Sequence, residues 1–296
     1  MNAPAAILRD STDAHAMLAR LFDDASLEMT AKDIEQIDAM AARVPAGTMV
    51  SVTFLPGESF ASRIDAAAAV HRRGLKPVPH LSARRLTSAG ELEGFLDALA
   101  ERIELRQVFV VAGDLAEPAG PYHDALAVIR SGLLEKYGVR HVGIAGYPQG
   151  HPGIDNARLW RALADKDAEL TTRGLDYSIM TQFGFDAVPI LDWLAQLRAT
   201  GIDKTVRVGV AGPASVKALL RFAARCGVGA SAKVMQKYGL SLTKLLGAAG
   251  PDPILDELAA GLDRHQHGDV SLHFYPFGGL TRTADWIAAY RAAHRV

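Results

Sequence analysis

Eight short apolar runs recur along this chain of 296 residues, and a helical pattern follows nearly every one. They cover 26–30, 48–54, 76–81, 107–113, 141–145, 177–181, 206–210 and 270–275. Most are near-continuous in apolar residues rather than alternating, as parallel strands buried on both faces should be. A strand followed by a helix, eight times over, predicts an α/β protein of the (β/α)8 TIM-barrel class. In that fold the C-terminal strand ends surround the active site. Those ends carry Glu28, Thr53, His80, Asp114, Tyr147, Gln182 and Tyr275, so position points to function before residue identity does.

Helical patterns fall over 31–42, 60–73, 88–103, a stretch reaching Lys136, 155–171, 188–199, 215–226 and 283–294. Extra helical sequence, 231–264, precedes the last strand. A preliminary helix over 12–22 lies outside the repeat, so residues 1–24 read as an N-terminal helical extension and 25–296 as one catalytic barrel. The chain is 49% hydrophobic with a formal net charge of −1, which supplies an ample core and gives no electrostatic case for nucleic acid or an anionic membrane. Arg72-Arg73 and Arg84-Arg85 read as solvated helix and loop faces. Cys226, the sole cysteine, has no partner for an internal disulfide and no companions for a zinc site. The N-terminus lacks a basic start leading into a long apolar stretch, and no run of about 18 apolar residues occurs. A cytoplasmic protein without a membrane partner is expected.

Taken singly, the strand-end residues have plain structural readings. A Gly-Asp pair such as Gly113-Asp114 commonly makes a turn closed by an Asx hydrogen bond, and Glu28 could cap the following helix. Gln182 offers donor and acceptor without charge, which suits the amide edge of a heterocycle. No His-x-His pair or close carboxylate pair supports a metal, and no Gly-x-Ser-x-Gly elbow supports a serine nucleophile. The small-residue loop Gly209-Val210-Ala211-Gly212-Pro213 precedes a helix, a place where barrels often bind phosphate, but it matches no dinucleotide fingerprint.

The combination is more specific than its parts. Val50-Ser51-Val52-Thr53, Pro79-His80-Leu81, Gly113-Asp114-Leu115, Tyr147-Pro148 with His151-Pro152, Thr181-Gln182-Phe183 and His273-Phe274-Tyr275 follow one another at successive strand ends. In order and spacing, from about residue 26 to 290, the chain resembles methylenetetrahydrofolate reductase. That resemblance implies a barrel carrying FAD, which interconverts 5,10-methylenetetrahydrofolate and 5-methyltetrahydrofolate. NADH or NADPH serves as co-substrate, with ping-pong hydride transfer through one flavin face. It also implies a folate substrate, homo-oligomer formation and a place in one-carbon metabolism, with flux towards methionine synthesis or in reverse.

Residue by residue, the resemblance implies Glu28 as general acid, Asp114 on the pterin edge and near the flavin, and Gln182 reading both folate and nicotinamide. Phe222 would pack on the stacked ring and Arg282 would stand in at the substrate tail. Thr53, His80, Gly113, Asp114, Tyr122, Tyr147, His151 and Lys166 would contact FAD. The chain departs from the family pattern at Met29-Thr30-Ala31-Lys32, at Ala112 where an arginine is expected, near Ala218-Leu219 where a glutamine is expected, and at Gly278-Gly279 in place of an arginine. Two other readings compete: a flavin-free barrel enzyme of pterin and one-carbon chemistry (methyltransferase or lyase), and a non-catalytic barrel subunit of a redox complex.

Overall fold

The computed structural model describes residues 11–226 and 248–296. Eight strands close into a barrel: β1 (Ser26–Met29), β2 (Met49–Val52), β3 (Lys76–Ser82), β4 (Gln107–Val111), β5 (His141–Gly146), β6 (Asp176–Thr181), β7 (Val206–Ala211) and β8 (Val270–Tyr275). Every neighbouring pair is parallel, and β1 closes the ring by pairing with both β2 and β8. The TIM barrel expected from the sequence is the observed architecture.

The helices around it are α1 (Ser11–Asp23), α2 (Ile37–Ala41), α3 (Phe60–Arg72), α4 (Ala89–Ala100), α5 (Ala125–Ile129), α6 (Leu133–Lys136), α7 (Asn156–Thr172), α8 (Ala187–Ala199), α9 (Val216–Cys226), α10 (Asp252–Gly261), α11 (Arg264–His267) and α12 (Leu280–His294). Ser59, Ser88, Asp124, Asp155 and Asp186 cap the N-termini of α3, α4, α5, α7 and α8 with side-chain oxygens, which satisfies backbone donors at the mouth end of the barrel. Of the helical stretch expected over 231–264, residues 231–247 lie outside the described residues; α10 and the start of α11 fall in the remainder.

Two expected helices differ. After β1 the chain makes a 3-10 helix, Ala31–Gln36, before the short α2. Thr30 and Asp33 form a reciprocal cap there, with the Thr30 N–H and hydroxyl both donating to the Asp33 carboxylate at 2.9 and 2.8 Å. The stretch reaching Lys136 breaks into α5 and α6 because Gly132 takes a left-handed φ of 75°, and the Ser131 hydroxyl accepts the Leu133 N–H.

Outward-facing strand residues such as Val50, Val108, Ile144, Ile179, Val208 and Leu272 are buried under the helices. Leu18, Leu21 and Phe22 of α1 join that core, with Phe22 stacked on Tyr290 of α12 and tilted against Phe274 of β8. Period-2 alternation turns a different set inward. Val78, Phe109 and Met180 form a small apolar plug, while Ser26, Ser51, His80, Ser178, Arg207, Ser271 and His273 are buried polar residues of the lumen. At the N-terminal end Arg207 donates to the Asp24 carbonyl (2.5 Å) and pairs with its carboxylate. Two glycines make room for lumen rings: a Cβ on Gly143 would lie 2.5 Å from Phe109, and one on Gly209 would lie 2.8 Å from Tyr275.

Candidate active site at the barrel mouth

The C-terminal strand ends open into a cavity of about 300 Å³ whose wall includes Glu28, Thr53, His80, Tyr147, Gln182 and Phe222. Seven residues singled out in the sequence, Tyr275 included, thus converge in space, although they come from β1, the ends of β2, β3, β5, β6 and β8, and helix α9. Phe109 and Met180 form its apolar floor; Phe183, Tyr275 and Phe277 add aromatic wall.

Glu28 is the only acid among the described lining residues. Burial raises its pKa above the ordinary carboxylate value, His80 opposes that shift, and Asp33 adds to it. Its Oε2 lies 3.9 Å from Nε2 of His273. Both histidines are neutral: burial pulls His80 down to about 4 and His273 to about 3. Ser51 Oγ, His80 Nε2 and His273 Nε2 are buried polar atoms without a hydrogen-bond partner among the described residues. They leave polar capacity open beside the acid. Arg63, held among the rings of Phe54, Phe60 and Phe95, donates to the His80 carbonyl at 3.3 Å and supports that strand end from below.

Gln182 is fixed through its own main chain. Its N–H donates to the Gly146 carbonyl (2.9 Å), and its side-chain Oε1 accepts the Phe183 N–H (3.1 Å). Tyr275 donates its hydroxyl to the Thr181 carbonyl at 3.0 Å, and burial raises its pKa well above the usual phenol value. Tyr147 meets His151 edge-on, with ring centroids 5.3 Å apart.

The remaining candidates stand outside the cavity wall. Asp114 forms a two-pronged ion pair with Arg85, at 2.7 and 2.9 Å, and Arg85 in turn lies over the ring of Phe54. Gly113 takes the positive φ, 94°, that the rim turn requires. Tyr122 is buried before α5. Lys166 on α7 has its pKa pulled down to about 8 by burial, opposed by the charge of Asp124. Arg282 lies on the first turn of α12.

Arg84 and Arg85 are not the solvated loop residues expected from the sequence. Arg84 donates to the main-chain carbonyls of His123 (2.8 Å), Leu115 (3.0 Å) and Ala116 (3.3 Å), and its own carbonyl accepts the Ala119 N–H at 2.7 Å. Together the two arginines rivet the β4–α5 loop to the end of β3.

The model of one protein family, methylenetetrahydrofolate reductase, matches residues 25–244. The chain belongs to the methylenetetrahydrofolate reductase family. Among solved structures, a Clostridium thermocellum protein described as binding two copies of 5-methyl-5,6,7,8-tetrahydrofolic acid superposes with a TM-score of 0.60 at 11% identity, covering 92% of this chain and 95% of that one. At that identity the likeness is one of fold. Dihydropteroate synthase from Thermus thermophilus gives a TM-score of 0.49 at 14% identity, with 93% and 95% of the two chains covered.

Of the aromatic wall, Phe277 is the member absent from the sequence reading. Tyr275 ends a strand and Phe183 follows Gln182, but Phe277 stands between a proline and a glycine with nothing polar beside it. The signal available was Gly278-Gly279 directly after Phe277, a pair that permits a sharp inward corner.

Proposed function

We propose that this protein is a folate-dependent flavin oxidoreductase that interconverts 5,10-methylenetetrahydrofolate and 5-methyltetrahydrofolate, with NADH or NADPH as the exchanging electron carrier. The observation that carries the reading is Glu28: an acid whose pKa burial raises, at the edge of a ring-lined cavity, within one family-matched barrel. Reduction of the methylene bridge breaks the carbon–N10 bond, which requires a proton at N10 and hydride at carbon. Glu28 supplies the proton, and burial shifts its pKa upward, the direction a general acid needs.

Gln182 orients the heterocycle. With its carbonyl committed to the Phe183 N–H, the side-chain amide nitrogen is left to donate to a substrate acceptor. The aromatic wall excludes water from the reacting carbon. A bound flavin would supply hydride acceptance and donation. The residues present suit it: the unpartnered Nε2 of His80 belongs to a residue of the cavity wall, Thr53 and Tyr147 line the same wall, and Lys166, on α7 outside that wall, would be the cation for a diphosphate. Asp114 would act at the rim through its pair with Arg85.

An absorbance spectrum of the purified protein, followed by anaerobic titration, tests the reading. The expected result is a flavin spectrum bleached by 5-methyltetrahydrofolate and by one of NADH or NADPH. A protein that neither carries nor takes up FAD would overturn it and favour the flavin-free alternatives.

A further inference from the structure

A second cavity, of about 310 Å³, lies behind the β2–α3 loop, with Glu58, Arg63, Leu81, Leu86 and Phe95 in its wall. The loop serves both cavities: Thr53 and Leu55 line the mouth, Phe54 and Glu58 line the second, and His80 belongs to both. That volume is at the lower end of those that hold small molecules.

Arg63 is the anomaly in this wall. It is only 5% exposed, yet its guanidinium makes a single hydrogen bond, to the His80 carbonyl at 3.3 Å. Its Nε is buried with no acceptor among the described residues. Glu58 and Glu91 attract the charge without pairing with it, and burial pulls its pKa down to about 10. The rings of Phe54, Phe60 and Phe95, 4.7–4.8 Å from Cζ, offset part of the desolvation but supply no lone pair. Arg85 of the same wall is a different case, because Asp114 takes its guanidinium.

Glu58 is the complementary anomaly. Its Oε2 accepts the Leu55 N–H at 2.9 Å, while Oε1 is buried with no donor among the described residues. One cavity wall thus holds a buried cation short of an acceptor and a buried carboxylate short of a donor. Buried groups of this kind call for a partner, and here the partner has to bring both charges. A lone anion would be attracted by Arg63 and repelled by Glu58, and a lone cation the reverse.

We propose that this cavity binds an α-amino acid with an apolar side chain as its zwitterion, the carboxylate on Arg63, the ammonium on Glu58 and the side chain among Leu81, Leu86 and Phe95. No part of that site depends on flavin or folate. Arg63 also holds the His80 carbonyl, so the ligand reaches the mouth through one hydrogen bond and acts as an effector.

Titration calorimetry of the full chain with L-valine, L-leucine, L-isoleucine, L-methionine and L-phenylalanine tests the site. At least one is expected to bind with a Kd of about 1 mM or tighter. Its deaminated acid and its decarboxylated amine, each keeping one of the two charges, should bind at least about 10-fold more weakly. Glu58→Gln keeps an oxygen for the Leu55 N–H and turns the other acceptor into a donor, so it should also weaken binding at least about 10-fold. The comparison of analogues uses the parent protein and stands even if Glu58→Gln alters the thermal melt. Three results would each overturn the proposal: no binding of any of the five at about 10 mM, which would leave both orphaned groups to water, equal binding by either single-charge analogue, or unchanged affinity in Glu58→Gln. A failed flavin titration leaves these outcomes untouched, so the two readings fail separately.

Discussion

Glu28 and His273 face one another within the barrel lumen, with Oε2 and Nε2 3.9 Å apart. Ser26 sits against the other side of that imidazole. Its hydroxyl lies 3.3 Å from the Leu272 carbonyl and 2.9 Å from Nδ1 of His273, so donation to one or the other goes with one or the other ring tautomer. Burial makes imidazolium unfavourable, so His273 is a poor base towards Glu28.

Burial of Glu28 has a measurable signature in stability. The folded state favours its protonated form, so that contribution is complete below the unfolded carboxyl pKa of about 4.3 and is lost as pH rises through the raised folded value. Glu28→Gln imitates the neutral acid. Its Tm should match the parent near pH 4 and exceed it by roughly 2–5 °C at pH 8. A melt series across pH checks this, and a difference independent of pH would argue against a buried acid. The same variant should lose folate turnover by at least about 100-fold.

Gly209 is the position where one methyl group should reach the chemistry. Its Cβ would lie 2.5 Å from the Thr181 carbonyl oxygen, 2.9 Å from the Phe183 nitrogen and 2.8 Å from the Tyr275 ring. Two of these neighbours are backbone and cannot swing aside. Gly209→Ala is expected to cost about 2–4 kcal/mol in denaturant unfolding and to displace Tyr275 from the wall. Gly94→Ala, with nothing within 4 Å of its Cβ, is the control and should be neutral or slightly stabilising.

Arg85→Ala separates rim structure from rim charge. The Asp114 side of the pair is more than half exposed, so its loss should cost under about 1 kcal/mol. An Asp114 carboxylate without its guanidinium partner would nevertheless disfavour added electron density on a nearby flavin. A reductive titration against a redox dye should show a more negative potential for Arg85→Ala than for the parent, with Arg85→Lys intermediate. An unchanged potential would place Asp114 away from the flavin.

The barrel was legible because its strands are apolar on both faces and helices intervene at regular intervals. The convergence of Glu28, Thr53, His80, Tyr147 and Gln182 followed from strand ends alone. The Asp114–Arg85 pair was not legible: it joins loops 29 positions apart, and nothing in Arg84-Arg85 distinguishes a rivet from a solvated basic pair. Phe277 escaped for a different reason. Its place in the wall depends on a corner that only becomes visible when Gly278 is seen against Pro213. The split between α5 and α6 turned on Gly132, whose left-handed backbone a run of helix-forming neighbours concealed.

Arg84 holds the β4–α5 loop solely through main-chain groups: the carbonyls of Leu115, Ala116 and His123 and the N–H of Ala119. Every non-proline residue supplies those groups equally. Gly113, Asp114 and Gly120 apart, such a loop can drift in sequence while keeping its path, so mutational tolerance at 115, 116, 119 and 123 should be wide and at Arg84 narrow. One side chain on β3's flank thereby stores the shape of a neighbouring segment, and relatives could diverge along that segment without giving up the rim it builds.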